Sequence, residues 1–442
     1  MRERVLLLVL FLFVTVSLHA STTPAERIAN EAAQRELDTS PPNGNIPSYS
    51  LTAQDLAKGA HLEHVRSVLH FSGAVWNILQ LVLLLSLGIV RRFRDAVVRR
   101  FQHRWLQGFG FVLLFLLASA VLSLPLDIYG QWLRRSYGLS VQSWGGWAWD
   151  GAKSLLIGWL IGGLLTMLLF LFIRKLPKLW WLGFWFASIP ITLLGVFAMP
   201  YIIDPLFNKF QPLAQSQPLL VKRLEQVARR GNMEIPPKRM FLMKASEKVT
   251  TLNAYVTGFG ASKRVVVWDT SIEKGTPDEI LFIFGHESGH YVLHHIVRGI
   301  LTSTLVLFFL LYLGYQFVQW CLRRFGPAWD ITSQMDWGTL VILVLAFSLF
   351  STMLEPLEST MSRMQEHAAD VYGQEAIHGI VADPTTTARA AFQVLGETSY
   401  DDPNPSQFLE FWTYSHPSIG RRAAFAAHYD PWTSGMQPKY FK

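Results

Sequence analysis

The chain has 442 residues, 50% of them hydrophobic and only 16% charged, which is too apolar for an ordinary soluble globular protein and points to the membrane. Its formal charge of +7 does not indicate nucleic acid, because the basic residues cluster beside apolar runs, where they set topology. A single cysteine, Cys321, excludes an internal disulfide and any metal site built on several thiolates, so a bound metal must rely on histidine and carboxylate.

In chain order, residues 1–20 carry Arg2 and Arg4, then an apolar run, then Ser17, Leu18, His19 and Ala20. This is the layout of a signal peptide or of an uncleaved first span. Residues 26–66 are polar, and the Pro-Pro-Asn-Gly-Asn-Ile-Pro run at 41–47 reads as an irregular connection. Six further stretches contain no Asp, Glu, Lys or Arg and are long enough to cross a bilayer as helices: 67–90, 105–126, 154–173, 179–203, 299–322 and 337–354. Trp105, Trp180, Trp181, Tyr201, Trp320 and Trp337 near their ends suit the interfacial belt. The expected fold is mainly α, a polytopic membrane protein with six or seven spans.

The connections differ in charge. Arg91, Arg92, Arg94, Arg99, Arg100 and Arg104 fill one loop, Arg174, Lys175 and Lys178 a second, and Arg323 and Arg324 a third, whereas the opposite short loop, 127–153, holds only Arg134, Arg135 and Lys153. The positive-inside rule then makes the arginine-rich side cytoplasmic and places 204–298 and 355–442 outside.

Residues 204–275 form an extramembrane unit. The stretch 219–230 is amphipathic, with Leu220, Leu224 and Val227 on one stripe, and 239–243, 253–259 and 264–268 read as short strands. The organisation expected is a leader or anchor at 1–20, a membrane region with four spans at 21–203, and a small α+β catalytic domain in two parts, 204–298 and 355–442, separated by two spans at 299–354.

The first part ends in the chemistry. Thr276, Pro277 and Glu279 open a helix with a capping box, and on that helix His286-Glu287-Ser288-Gly289-His290 puts two imidazoles one turn apart on one face, with Glu287 beside them. Two such imidazoles suit a zinc hydrolase, which usually needs a third protein ligand. Glu366 in the run 362–370 is the candidate, with Asp370 one turn on to hold a ligating imidazole; His367, about 100° round the helix, is the rival.

These motifs, with His295, with Asn253, Ala254 and Tyr255 ahead of the 264–268 strand, and with Ser415-His416-Pro417 and Arg422, resemble the integral-membrane zinc peptidases typified by the type I CAAX prenyl protease and, more distantly, the heat-shock protease HtpX. The number and placement of the spans resemble that family too. The resemblance implies a zincin-like (gluzincin) domain over spans that enclose a chamber. It implies one Zn2+ per chain held by His286, His290 and Glu366, with Glu287 as general base and Asp370 behind the ligands. His416 and Arg422 would sit over the substrate and stabilise the transition state, and Asn253, Ala254 and Tyr255 would line the cleft as its edge strand.

The expected partners are the bilayer and a peptide or membrane-protein substrate, lipidated or not, with no nucleic acid. An HtpX-like quality-control protease without prenyl preference is one alternative. The other is a scaffold or transporter without catalysis, which spans free of ionisable residues argue against.

Overall fold

A computed structural model describes residues 22–258 and 262–442. The leader or anchor at 1–20 and the end of the 253–259 strand lie outside the described residues.

Among the described residues six helices are long and apolar enough to cross a membrane: Ala53–Ser86, Arg104–Ser136, Trp144–Lys175, Trp180–Phe207, His295–Trp329 and Thr339–Ile377. Each overshoots the apolar run that marked it at one end or both, because a hydrogen-bonded helix continues cheaply into water once the membrane has ordered its middle. The overshoot matters most in Thr339–Ile377, which leaves the membrane and carries Glu366 and Asp370 without a break.

Two expectations need correcting. The arginine-rich connection after the first span is a helix, Ile89–Arg100, entered through Gly88 at φ 68° and seated on buried Val90 and Val97. Arg94 on it binds Asp330 at 2.8 Å and Asp336 at 2.7 Å, fastening it to the turn between the last two spans. The spans also hold an ionisable pair: His70 Nε2 lies 3.1 Å from Glu355 Oε1, joining the first span helix to the last.

The extramembrane parts share one hydrophobic core that runs from Leu213 through Phe284 to Val371, Phe392 and Tyr429. Its sheet has four strands in the order β1-β2-β4-β3: β1 (Phe210–Pro212), β2 (Met240–Met243), β3 (Ala254–Thr257) and β4 (Arg264–Trp268). β2 and β4 pair in parallel, and β3 runs antiparallel to β4 as an edge strand beside the Pro277–Val292 helix. Burial on both faces explains the unbroken valines 265–267.

A helix absent from the sequence reading, Pro24–Thr39, also joins this core. Thr23 and Glu26 form its capping box, and Ala25, Ala29, Ala33 and Leu37 make a buried stripe against the Ile419–His428 helix. A stripe of alanines gives almost no hydropathy contrast, so periodicity did not reveal it. Ile46, Tyr49 and Leu51 beyond it join the same extramembrane core.

Candidate metal centre and active site

The Pro277–Val292 helix begins as its capping signals predict: Thr276 accepts from Glu279 N, and the Glu279 carboxylate accepts from Thr276 N. It crosses the Thr339–Ile377 helix at two glycines. A Cβ on Gly373 would lie 2.7 Å from His286 N, and one on Gly285 would lie 3.0 Å from Gly373 O, so only glycine lets the two backbones approach this closely. That approach brings a carboxylate from the last span helix against imidazoles from the first extramembrane part.

Three donor atoms converge there. His286 Nε2 is 3.0 Å from His290 Nε2 and 3.2 Å from Glu366 Oε2, and His290 Nε2 is 3.3 Å from Glu366 Oε1. Ligands held at roughly 2.0–2.1 Å around a tetrahedral zinc sit about 3.3–3.4 Å apart; each imidazole here meets one Glu366 oxygen at about that separation, and one donor atom from each of the three residues lies within 4.8 Å of the other two. Two further observations fit an ion. The facing imidazole nitrogens would oppose lone pairs with nothing between them, and Glu366 Oε2 is buried without a hydrogen bond. Burial opposes charging of His286, but the Asp370 carboxylate that accepts from it, with Glu366 beside it, outweighs this and raises its pKa to about 10. The pocket is arranged to hold positive charge.

Each imidazole is braced from behind. Asp370 Oδ1 lies 2.8 Å from His286 Nδ1, and His295 Nδ1 lies 3.1 Å from His290 Nδ1. The spacing gave His295 no role, because five residues along a continuous helix would carry it about 140° from His290. The helix breaks at His294, with φ 59°, and the break swings His295 back. His290 can then present Nε2 to an ion while its Nδ1–H donates to His295.

Arg422 is mostly shielded from solvent and binds Asp370 through both arms, Nε to Oδ2 at 2.9 Å and a terminal nitrogen to Oδ1 at 2.6 Å. The sequence reading gave Asp370 an imidazole and Arg422 a place over the substrate; the structure joins the two into one chain, Arg422–Asp370–His286. A terminal nitrogen of Arg422 still reaches within 3.7 Å of Glu366 Oε2, so its charge faces the site as well.

Glu287 is half-buried, with Oε1 4.0 Å from His286 Nε2, close to the donor triangle without belonging to it. Burial is the main cause that raises its pKa, which suits a group that must accept a proton. His416 Nε2 lies 3.3 Å from Glu366 Oε2 on a half-exposed loop, and burial of the ring lowers its pKa. The loop is held by Arg363, which donates to Glu410 O and Tyr414 O, both at 2.7 Å. Arg363 is thus a positioning residue that the motif contained and the spacing could not explain. His367 points away from the triangle and packs on Phe425, with ring centroids 4.6 Å apart. Asn253 is pinned through its main chain to the Ser271 hydroxyl, and Ala254 and Tyr255 pair with Val267 and Val266, which leaves β3 with no strand on its outer edge among the described residues.

Comparison with known proteins gives the site a context. Residues 214–430 match the profile of peptidase family M48, and residues 41–209 match that of the CAAX prenyl protease N-terminal region with five membrane helices. The chain is 32% identical over 86% of its length to an uncharacterized metalloprotease, YhfN, of Bacillus subtilis, and covers 87% of that protein. It is 28% identical over 69% of its length to CAAX prenyl protease 1 of Saccharomyces cerevisiae, of which it covers 68%. A crystal structure of S. mikatae Ste24p superimposes with a TM-score of 0.74 at 22% identity, over 92% of this chain and all of that one, a likeness of fold.

Proposed function

The chain belongs to peptidase family M48 and is a multi-pass membrane metallopeptidase, and from that premise we propose a zinc endopeptidase in which His286, His290 and Glu366 hold the ion. The observation that carries this reading is the grouping of His286, His290 and Glu366, one donor atom from each within 4.8 Å of the others, beside the Glu287 carboxylate. Zinc held there would supply a Lewis acid and bring a water's pKa to roughly 7. Glu287 takes the proton of the attacking water and passes it to the leaving amine. His416 donates to the carbonyl oxygen as negative charge develops on it. Asp370, itself held by Arg422, fixes the ring of His286, and His295 fixes that of His290. An extended peptide adds to the free edge of β3 beside the metal helix, gaining main-chain hydrogen bonds there.

Purified full-length protein in detergent is expected to hold about one zinc per chain and to cleave peptides. A chelator should stop turnover and added zinc should restore it. Turnover that survives complete removal of metal would overturn the reading. The same assay on matched prenylated and unmodified peptides separates a prenyl-directed enzyme from a broader membrane-protein protease. A preference of tenfold or more for the prenylated form indicates the first, and equal turnover the second.

The arginine distribution favours the second, because it faces the site away from the cytoplasm. A reporter active only outside the cytoplasm, fused after Lys442, is expected to be active. Activity of the opposite, cytoplasm-only reporter would reverse the orientation.

A further inference from the structure

A cavity of about 420 Å³ opens beside His416 and Arg422, and no step of the hydrolysis uses its other walls. One wall is the start of the first span helix, where Glu63, Arg66, Ser67 and His70 share a face; the other is the turn at Tyr400, Asp401 and Asp402. Its charges are unbalanced. Glu63, Asp401 and Asp402 are acidic, whereas three of the four bases are already engaged: His70 by Glu355, Arg422 by Asp370 and His416 by Glu366. Arg66 alone is left, and it is exposed.

Asp402 makes the imbalance costly. Its residue is 3% exposed, Oδ1 accepts from Asn404 N at 2.9 Å, and Oδ2 is buried, with only another acid, the Glu63 carboxyl, close enough to share a proton with this side chain. A buried carboxylate oxygen without a cationic partner costs free energy unless something outside the protein meets it. Asp401 beside it is pushed up to about 6, chiefly by burial, with the Asp402 charge adding to the effect against Arg66 and Arg422. Glu63 accepts from the Tyr414 hydroxyl, which aims its carboxylate along the cavity wall.

We infer that this cavity is a substrate subsite for a cationic side chain, with Glu63 and Asp402 as its specificity-determining residues and a lysine or arginine of the cleaved peptide as its occupant. The inference rests on the endopeptidase reading above and adds a substrate class to it. Continuity carries the placement: His416 lines the cavity and also lies 3.3 Å from Glu366, so a peptide whose scissile carbonyl reaches His416 has a neighbouring side chain at the cavity mouth. A bound ammonium or guanidinium would meet the buried Asp402 oxygen with a charge-assisted hydrogen bond.

The test uses full-length, zinc-loaded enzyme in detergent and peptides that differ at one position, carrying Lys, Arg, Ala or Glu, walked from three residues before the scissile bond to three after it. At one position the wild type is expected to prefer Lys or Arg over Glu by at least tenfold in kcat/KM. Asp402→Asn should cut that ratio to below threefold. The ratio is read in place of the rate, so a general loss of folded enzyme cancels.

Glu63→Lys should invert the preference toward the Glu peptide, a gain that misfolding cannot imitate and that stands if the buried Asp402 variant fails to fold. Cleavage of all peptides with no position discriminating Lys from Glu by more than threefold overturns the subsite and leaves the peptidase standing. Ratios unchanged in both variants do the same. If the wild type cleaves no peptide, the endopeptidase reading falls and takes this inference with it.

Discussion

Glu366→Ala is expected to leave the protein folded, with zinc below a tenth of an equivalent per chain and peptide turnover below detection. The carboxylate is the only donor in the triangle that comes from another part of the sequence, and without it two imidazoles one helical turn apart remain. Two ligands hold a catalytic zinc far more weakly than three. The loss also removes the negative charge that balances Arg422 and a cation between the histidines, so the pocket would repel what it now attracts.

His295→Ala provides the contrast. It touches only the rear of His290 and should weaken metal affinity by about 10–100-fold without emptying the site at saturating zinc. Metal content by mass spectrometry, followed along a zinc titration, separates the two. A Glu366→Ala protein that keeps a full equivalent of zinc would remove the carboxylate from the proposed ligand set.

Much of this was legible in the chain because it lay in local patterns. The apolar runs marked six spans, and the capping box at Thr276 and Glu279 together with the four-residue spacing of His286 and His290 placed a metal helix with its face. Local pattern could not show what depends on how helices cross. Gly285 and Gly373 read as ordinary glycines until the crossing makes each a point of backbone contact, and the pairing of Arg422 with Asp370 spans 52 residues that no periodicity links. The role of His295 was hidden by a backbone break at His294, a non-glycine residue that nothing in the sequence marks for a positive φ. The helix Pro24–Thr39 escaped for a different reason: its buried face is mostly alanine, too small to stand out by hydropathy yet well suited to close packing against Ile419–His428.

The continuous helices also have a mechanical consequence. The metal helix is followed, after the two-residue turn Leu293–His294, by the span His295–Trp329, and Glu366 rides on the end of the span helix Thr339–Ile377. The two halves of the donor triangle are therefore anchored to two different membrane helices that pack on each other. The His70–Glu355 bridge from the first span helix helps to fix the last one.

Glu287→Gln tests the chemistry without disturbing the site. The amide keeps the size and shape of the side chain but cannot accept the water's proton, so kcat/KM for any cleavable peptide is expected to fall by at least a thousandfold, toward the upper end of what a positioned general base contributes. Zinc content should stay at one equivalent, because Glu287 lies outside the donor triangle, with its nearest oxygen 4.0 Å from His286 Nε2. Substrate binding should persist too, which makes this variant the one to use for trapping a bound peptide. The rival base is His416, on its half-exposed loop, whose Nε2 stands 3.3 Å from Glu366 Oε2. If it served, Glu287→Gln would retain turnover within about tenfold and His416→Ala would abolish it. On the assignment made here the order is reversed: His416→Ala loses one donor to the developing oxyanion, a deficit of about 100- to 1000-fold with KM little changed, whereas Glu287→Gln removes the proton path itself.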